Sequence, residues 1–598
     1  MAVAARIASE KSGAKVTLLE KNSDIGGRCG SFWVDPEHDT NTKSAETATK
    51  GSSTNNNLFR HEQGPSLLLL KSVYEDVFRE TTASKTARDY GLEIVPCAPA
   101  YQIVFDDGDR ITAGFPKDSC SSSSIKQEES KSRAKMDAYE SEGAAKWDDY
   151  MAITAAYLDA GLPNFIQEKL DLGSLPNFLV QSLKDSAKAW PLKPHSDVLD
   201  ALFESDKLKA LASFQDLYVG LEPFRNKNDS NNLQMLGGGV LKSTAPAVFG
   251  LLAAIELHPD NKNAGVFAPI GGFQSVTNAF ENLLDDLGVE IRCDTTVLGV
   301  TNEGVWARQD SSTSSDSSNN NNNNNSKTDD SKTEFIPADL IIVNADLPYA
   351  KNSLIMKQEN SEGDDANVKP PPPPPPLPEK FDWDDQFSFS SGVISFYWSL
   401  DKPLDDLNTH NVFLSTKTRS EAEAAWQVLR DSPEISLSKS TTEHNEDSPF
   451  NFYVHRPSKT DPSAAPPGCD TIMVLVPCRT LLRDDECANL PRREAMERYQ
   501  TQFTETEIAR VKKAVLKRLA AVESLQTLED HILHEECRTP ATWADRYNLG
   551  AGTPFALVRP LLLLFYFDDS QVPTFSVRSL LVFQHKLTCT DNSFMFVL

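Results

Sequence analysis

Cysteine is scarce and unpatterned. Nine thiols are scattered over 598 residues without a Cys-x-x-Cys pair, and no histidine cluster has metal-ligand spacing. Neither a zinc site nor a disulfide framework is indicated, and the thiols read as reduced and structural. Positive charge is short as well: 59 Lys and Arg stand against 86 Asp and Glu, for a net charge of −27 and a pI near 4.8. A nucleic-acid partner needs clustered cations to neutralise phosphates, so none is expected. Long apolar runs are missing too. The run Leu561 to Phe567 falls far below the roughly 18 residues of a membrane span, and Met1 leads into Ala-Val-Ala-Ala-Arg rather than into a cationic, apolar leader. No repeat of solenoid length is visible.

What is present is the composition of a soluble globular protein, with apolar residues at 39% and charged residues at 24%. The length calls for two or three domains. Three stretches are too polar to bury a core and read as disordered inserts: Thr40 to Asn57, Ser121 to Lys135, and Asp310 to Lys332. Pro370 to Pro376 reads as a stiff polyproline spacer.

The remainder alternates helix-like and strand-like segments, the pattern of an α/β protein. Ala2 to Ser12 is helical in composition, Lys15 to Leu19 is a short apolar strand, and a glycine turn follows. A helix-rich middle spans Trp147 to Leu257. Phe280 to Leu287 reads as an amphipathic helix, Val289 to Cys293 as a strand, and Leu340 to Val343 as a buried strand ending in Asn344-Ala345-Asp346. Strand patterns resume at Gly392 to Leu400, Asn451 to His455 and Thr471 to Val476, before a charged helix from Arg492 to Val522.

Chemistry enters at Val16-Thr17-Leu18-Leu19-Glu20-Lys21. An acidic residue at the end of a buried second strand can accept the ribose hydroxyl protons of an adenine dinucleotide, which makes Glu20 a candidate. An ordinary strand-end carboxylate fits it equally well. Gly26-Gly27-Arg28 follows, where glycines admit a pyrophosphate to the backbone and a guanidinium can neutralise it.

Strand, Glu20-Lys21, then Gly26-Gly27-Arg28 together resemble the opening of the FAD-dependent amine oxidase and phytoene desaturase superfamily. Further segments resemble bacterial-type phytoene and carotenoid desaturases, in family order. Phe59 to Leu67 is similar to the segment whose Gly64-Pro65-Ser66 turn passes near the flavin ring in relatives. Leu236 to Gly239 and Pro269 to Phe273 follow, then Phe452 to Gly468, and Thr539 to Leu549. The resemblance implies FAD as cofactor and adds Val297, on the strand Ile291 to Val297, beside the adenine. Asn344, Ala345 and Asp346 join the cofactor candidates, although they read equally as a helix cap after a strand. Gly64-Pro65 reads equally as a plain turn.

Two departures from the family carry expectations. The family's first strand and Gly-x-Gly-x-x-Gly loop have no counterpart before Ala2, and the tail after Phe567 lacks the closing flavin motif and reads as a gene-model or reading-frame artefact. A Rossmann-like FAD domain without its central strand is therefore expected, holding FAD weakly if at all. Its parts are 1–110 and 266–350, with a low-complexity insert at 111–146 and an acidic, polyproline linker at 351–380. An α+β substrate domain is expected over 147–265 and 381–535, an FAD-domain remnant over 536–567, and a divergent tail over 568–598.

The implied activity is desaturation of phytoene or a related polyene by hydride transfer to flavin. A carotenoid isomerase or retinol-saturase-like flavoprotein, an amine oxidase, and an inactive truncated homologue are the alternatives. The substrate channel should be apolar, with Tyr150, Tyr157, Leu162, Phe165 and Ile166 as candidates to line it or simply to fill a helical core. No acid or base follows from spacing. Glu62 is the weak catalytic candidate, and His61 is its more structural neighbour. The resemblance also implies peripheral membrane contact and a plastid or membrane location. The electron acceptor stays open.

Overall fold

The computed structural model describes residues 1–10, 13–37, 57–115, 123–166, 176–178, 180, 190–191, 193–219, 223, 245–258, 265–309, 333–355, 388–426, 449–481, 492–554, 557–558 and 593–597. Most of the Thr40 to Asn57 segment, the Asp310 to Lys332 insert, the polyproline run and Leu236 to Gly239 lie outside them.

Four parallel strands form the first sheet, in the order Leu340–Val343, Ser593–Val597, Lys15–Leu19, Glu290–Arg292. Val16 and Leu18 point to one face, where they meet the helices Ala2–Glu10 and Phe273–Asp286. The second helix offers Val276, Ala279, Phe280, Leu283 and Leu284, the spacing of one helical stripe. Leu19 and Met595 point the other way, onto Val297, Val305 and Ala307 of a three-stranded antiparallel sheet. The sheet is thus covered on both sides, as a buried parallel sheet must be.

This corrects the expected gap at the sheet's centre. The position between Lys15–Leu19 and Leu340–Val343 belongs to Ser593–Val597, from the tail that the sequence assigned no structure. Its sequence, Ser-Phe-Met-Phe-Val, has strand propensity, and a partner on each side satisfies backbone groups that an open edge would leave unpaired.

The second sheet has seven strands: Ile532–Arg538, Gly392–Leu400, Asp470–Cys478, Phe452–His455, His410–Leu414, Tyr101–Phe105 and Arg110–Ala113. Its two faces differ in kind. Phe396, Trp398, Val454, Phe413, Ile472 and Val474 share an apolar face, closed by Val511, Val515 and Leu519 of the Glu505–Leu519 helix. The alternate residues, among them Tyr101, Tyr397, His410, Tyr453 and Met473, form a mixed aromatic and polar face. That face turns toward the parallel sheet's strand ends and the helix-rich middle.

Two further expectations are corrected. Ser121 to Lys135 was expected as a disordered insert, but the helix Ser123–Tyr139 runs through it. Tertiary anchors overcome its poor propensity: Met136 is buried, Ser132 meets the Thr112 hydroxyl at 2.7 Å, and the Arg133 guanidinium grips Asp148 with two bonds at 2.9 and 2.8 Å. The helix expected over Arg492 to Val522 is two helices, Arg492–Gln500 and Glu505–Leu519. Thr504 and Glu507 form a capping box that starts the second one afresh.

Candidate functional site

A cavity of about 750 Å³ opens where the carboxyl ends of the parallel strands face the mixed side of the large sheet. This is where open α/β sheets bind ligands. Glu20, Lys21 and Asn22 line it at the end of one strand, and Asn344, Ala345 and Asp346 at the end of another. Gly26, Gly27 and Arg28 come from the turn that follows Glu20. Gly64 and Pro65 come from the turn after the strand Phe59–Glu62.

Each of these groups has a defined setting. Glu20 is buried, and its Oε1 accepts from the Asn22 backbone N–H and the Asn22 side-chain amide, both at 2.8 Å. Burial pushes its pKa up, against the pull of those two bonds. Lys21 donates to the Asp545 carbonyl at 3.2 Å and to Asn548 Oδ1 at 3.3 Å, tying the strand end to the C-terminal segment. Gly26 has φ +116°, and a Cβ there would strike the Cys29 carbonyl and the Thr277 side chain. Gly27, at φ +58°, faces open space. Arg28 donates to the Pro554 carbonyl, and burial lowers its pKa while Asp346 counters that shift. Asp346 accepts from the Gly550 N–H at 2.9 Å, with its pKa raised by burial.

Ten of the twelve cofactor candidates therefore meet around one cavity. Ser66 and Val297 are the exceptions. Ser66 sits behind the turn, accepting from the Tyr453 hydroxyl at 2.9 Å, and the Val297 side chain lies in the core on the far side of the parallel sheet. Tyr150 and Tyr157 are helix-core residues, and neither they nor Leu162 line the cavity. The Phe165 and Ile166 side chains lie outside the described set.

Glu62, the weak catalytic candidate, sits in a hydrogen-bond network behind the cavity. It is 2% exposed and does not line the cavity. Its Oε2 accepts from the Phe273 N–H at 2.8 Å and from the Ser31 hydroxyl at 2.6 Å, and its Oε1 from Arg60 Nε at 3.2 Å. Arg60 is held in turn by Asp461 at 2.9 Å, and Asp461 accepts from the Gly271 N–H at 2.8 Å. The network clamps the Gly271-Gly272 turn that starts the Phe273–Asp286 helix. His61 is buried between the Ser399 and Thr471 hydroxyls, and burial lowers its pKa to about 3, so the ring is neutral.

The cavity's other end escaped the sequence reading. Val393, Ser395 and Tyr397 of one strand and Met473 and Leu475 of its neighbour make a largely apolar floor, walled by Trp543, Tyr547 and Leu549. Tyr397 donates to the Gln63 carbonyl at 3.0 Å, and Tyr547 donates to the Gln63 side chain. The alternation of strand Gly392–Leu400 marks this face, but both of its faces are buried, so the pattern alone does not say which one meets the cavity.

The cavity is therefore graded in chemistry: a carboxylate, glycine backbone with a guanidinium, and an aromatic and apolar floor. A dinucleotide with a flat ring system matches that set. The helix Ala2–Glu10 starts beside Met1, at the cavity wall, where a helix N-terminus favours a phosphate. Among the described residues, no group of His, Cys, Asp and Glu is arranged to hold a metal ion.

No protein-family model matches the chain. Curated relatives do. The phytoene desaturase of Neurospora crassa is 27% identical over 567 residues, covering 93% of this chain and 74% of the relative. That of Fusarium fujikuroi is 26% identical over 578 residues, covering 94% and 79%. Among solved structures, a putrescine oxidase variant redesigned in cofactor binding aligns over 94% of this chain and 85% of its own, at 12% identity and a TM-score of 0.42. Along nearly its whole length, this chain resembles the phytoene desaturases.

Proposed function

We propose that the protein is an FAD-dependent oxidoreductase of carotenoid biosynthesis that desaturates phytoene or a related polyene. The observation that carries this reading is the graded cavity, in a chain similar over most of its length to proteins named phytoene desaturases. Glu20 would hold the ribose hydroxyls, the Gly27 backbone and Arg28 the pyrophosphate, and the Tyr397, Met473 and Leu475 floor the ring system. When bound, the flavin supplies a two-electron acceptor for a hydride.

The protein's own share is placement and exclusion of water. A polyene offers no charge to grip, so shape and apolar contact must hold it above the floor. Among the described residues no helix is long and apolar enough to cross a membrane. A bilayer-dissolved substrate would then be reached by peripheral contact, with a plastid or other membrane surface as the setting.

The test is reconstitution. The purified chain is titrated with FAD, then mixed anaerobically with phytoene in liposomes. Saturable binding, bleaching of the flavin band by phytoene and a longer conjugated product are expected. Failure to bind flavin at any concentration, or bound flavin that phytoene leaves oxidised, overturns the reading. Arg28→Ala should weaken FAD binding on the order of tenfold through loss of a charge-assisted contact.

A further inference from the structure

The mixed face of the large sheet carries polar groups that the cavity does not use. Tyr453 lies one strand beyond the cavity floor, paired with Leu475, which lines it. Its hydroxyl meets Ser66 Oγ at 2.9 Å and His410 Nδ1 at 2.7 Å. The His410 ring packs against Tyr101, with ring centres 5.7 Å apart. Beyond Tyr101 stands Glu256, on the Leu251–Leu257 helix, with the Tyr101 hydroxyl and the Gln215 amide close enough to polarise its carboxyl. All of these residues except Ser66 are at most 2% exposed, and Ser66 is 8% exposed. Glu256 Oε2, His410 Nε2 and both polar atoms of Gln215 have no hydrogen bond of normal geometry among the described residues.

Such an array is costly in an apolar interior. Each buried polar atom without a partner costs on the order of 1–3 kcal/mol, and core packing for an apolar substrate requires none of them. The array does have the property of a proton conductor. A tyrosine hydroxyl has one proton, so the Ser66–Tyr453–His410 chain exists in two directions. In one, His410 Nδ1–H donates to Tyr453 and Tyr453 to Ser66. In the other, Ser66 donates to Tyr453 and Tyr453 to Nδ1. Passing from the second to the first, with the histidine changing tautomer, moves a proton inward from Ser66.

We propose that Ser66, Tyr453 and His410 form a proton path from the Gly64-Pro65 turn to Glu256, and that Glu256 is the residue on which the proton released by desaturation comes to rest. The proposal rests on the desaturase reading. Two C–H bonds of the substrate break: one hydrogen leaves with both electrons to the oxidised flavin, and the other leaves as a proton. The electron pair of the second bond becomes the new carbon–carbon π bond. The proton enters at Ser66, which passes its own to Tyr453, and Tyr453 passes its own to His410 Nδ1; the Nε2–H bond breaks, its proton is handed on past the Tyr101 hydroxyl, and the Glu256 carboxylate becomes a carboxylic acid. When a two-electron acceptor of the quinone class reoxidises the flavin, the path runs back, and the acceptor leaves with one hydride and one proton.

Burial raises the Glu256 pKa to about 8 against the hydrogen-bonding pull of Tyr101 and Gln215. It can therefore gain and lose a proton near neutrality, as a proton-transfer group must. The groups around it are the Tyr101 and Tyr453 hydroxyls and the Gln215 amide, with His410, His455 and Cys97 beyond them. Burial lowers both histidines well below their ordinary range, so each is neutral and able to relay.

Two measurements test the path. Infrared difference spectra of the chain without flavin should show a buried carboxylic acid band that titrates near pH 8 and is missing from Glu256→Gln. Anaerobic single-turnover reduction of the flavin-loaded chain by phytoene should quicken with pH along that titration, because the accepting form is the carboxylate. In Glu256→Gln the reduction should be slower on the order of a hundredfold and flat with pH. Tyr453→Phe, which keeps the packing and breaks the path, should lose the same pH limb while its KM for phytoene holds. Wild-type rates and pH dependence in both variants would falsify the path, and so would a band that persists in Glu256→Gln. If phytoene reduces no flavin in the wild type, the desaturase reading fails by itself, and with it the role given to Glu256, whatever the infrared titration shows.

Discussion

At the residue scale, the chain uses ionisable groups for two different ends. Glu20, Arg28 and Asp346 reach the cavity wall, whereas Arg60, Glu62 and Asp461 are locked behind it. Glu62→Gln should lower stability by about 3 kcal/mol, since it leaves Arg60 with one anionic partner and loosens the Phe273 helix start. A denaturant titration reads this directly, and a loss of turnover without loss of stability would instead restore Glu62 as a proton acceptor. Gly272 stands in the same network at φ +76°, where a Cβ would lie 2.5 Å from Glu62 Oε1 and 2.6 Å from Arg60 Nε. Gly272→Ala should therefore cost at least about 2 kcal/mol, combining left-handed strain with overlap against a clamped ion pair. A thermal midpoint unchanged by this substitution would contradict that geometry.

At the element scale, the most consequential strand is Ser593–Val597. It pairs on both sides, with Lys15–Leu19 and Leu340–Val343, and carries Met595 into the core beside Leu19 and Val297. Met595→Asp places a carboxylate in that core and should destabilise the sheet by about 3 kcal/mol. Amide exchange should report it locally, with protection lost from Val16 to Leu19 before the large sheet opens. Unchanged protection there would mean that the tail does not pair in solution. The helix Ser123–Tyr139 teaches the same lesson from the other side. Its composition is that of an insert, yet Met136, Ser132 and Arg133 find partners on elements distant in sequence, and those contacts outweigh local propensity.

At the scale of the whole molecule, buried titratable groups set the pH range of stability. Burial lowers the pKa values of His61 and His455 to about 3 in the folded chain. Unfolded, each takes up a proton below its ordinary value near 6.5. Their contribution is therefore complete above that value and is lost as pH falls toward 3, by about 1.4 kcal/mol per pH unit for each ring. Glu256 acts in the opposite sense. Raised to about 8, it favours the fold below its ordinary value near 4.5, and that contribution is lost as pH rises toward 8. Stability should peak on the mildly acidic side of neutrality, and Glu256→Gln should flatten the alkaline decline. A wild-type maximum above pH 8 would contradict this.

What the sequence determined by itself was local or ordered along the chain: the strand Lys15 to Leu19, the acidic residue at its end, the Gly26-Gly27-Arg28 turn, and the succession of segments resembling a desaturase. Those features are written in residues a few positions apart, where backbone conformation and side-chain type are set together. Tertiary structure alone decided which buried face of the large sheet meets the cavity and that Tyr397, Met473 and Leu475 floor it. It also decided that Glu62 clamps a helix start and that a strand from the far end of the chain sits at the centre of the parallel sheet. Each of these depends on partners hundreds of residues apart. Burial and hydrogen bonding across that separation leave no period or spacing in the sequence to read.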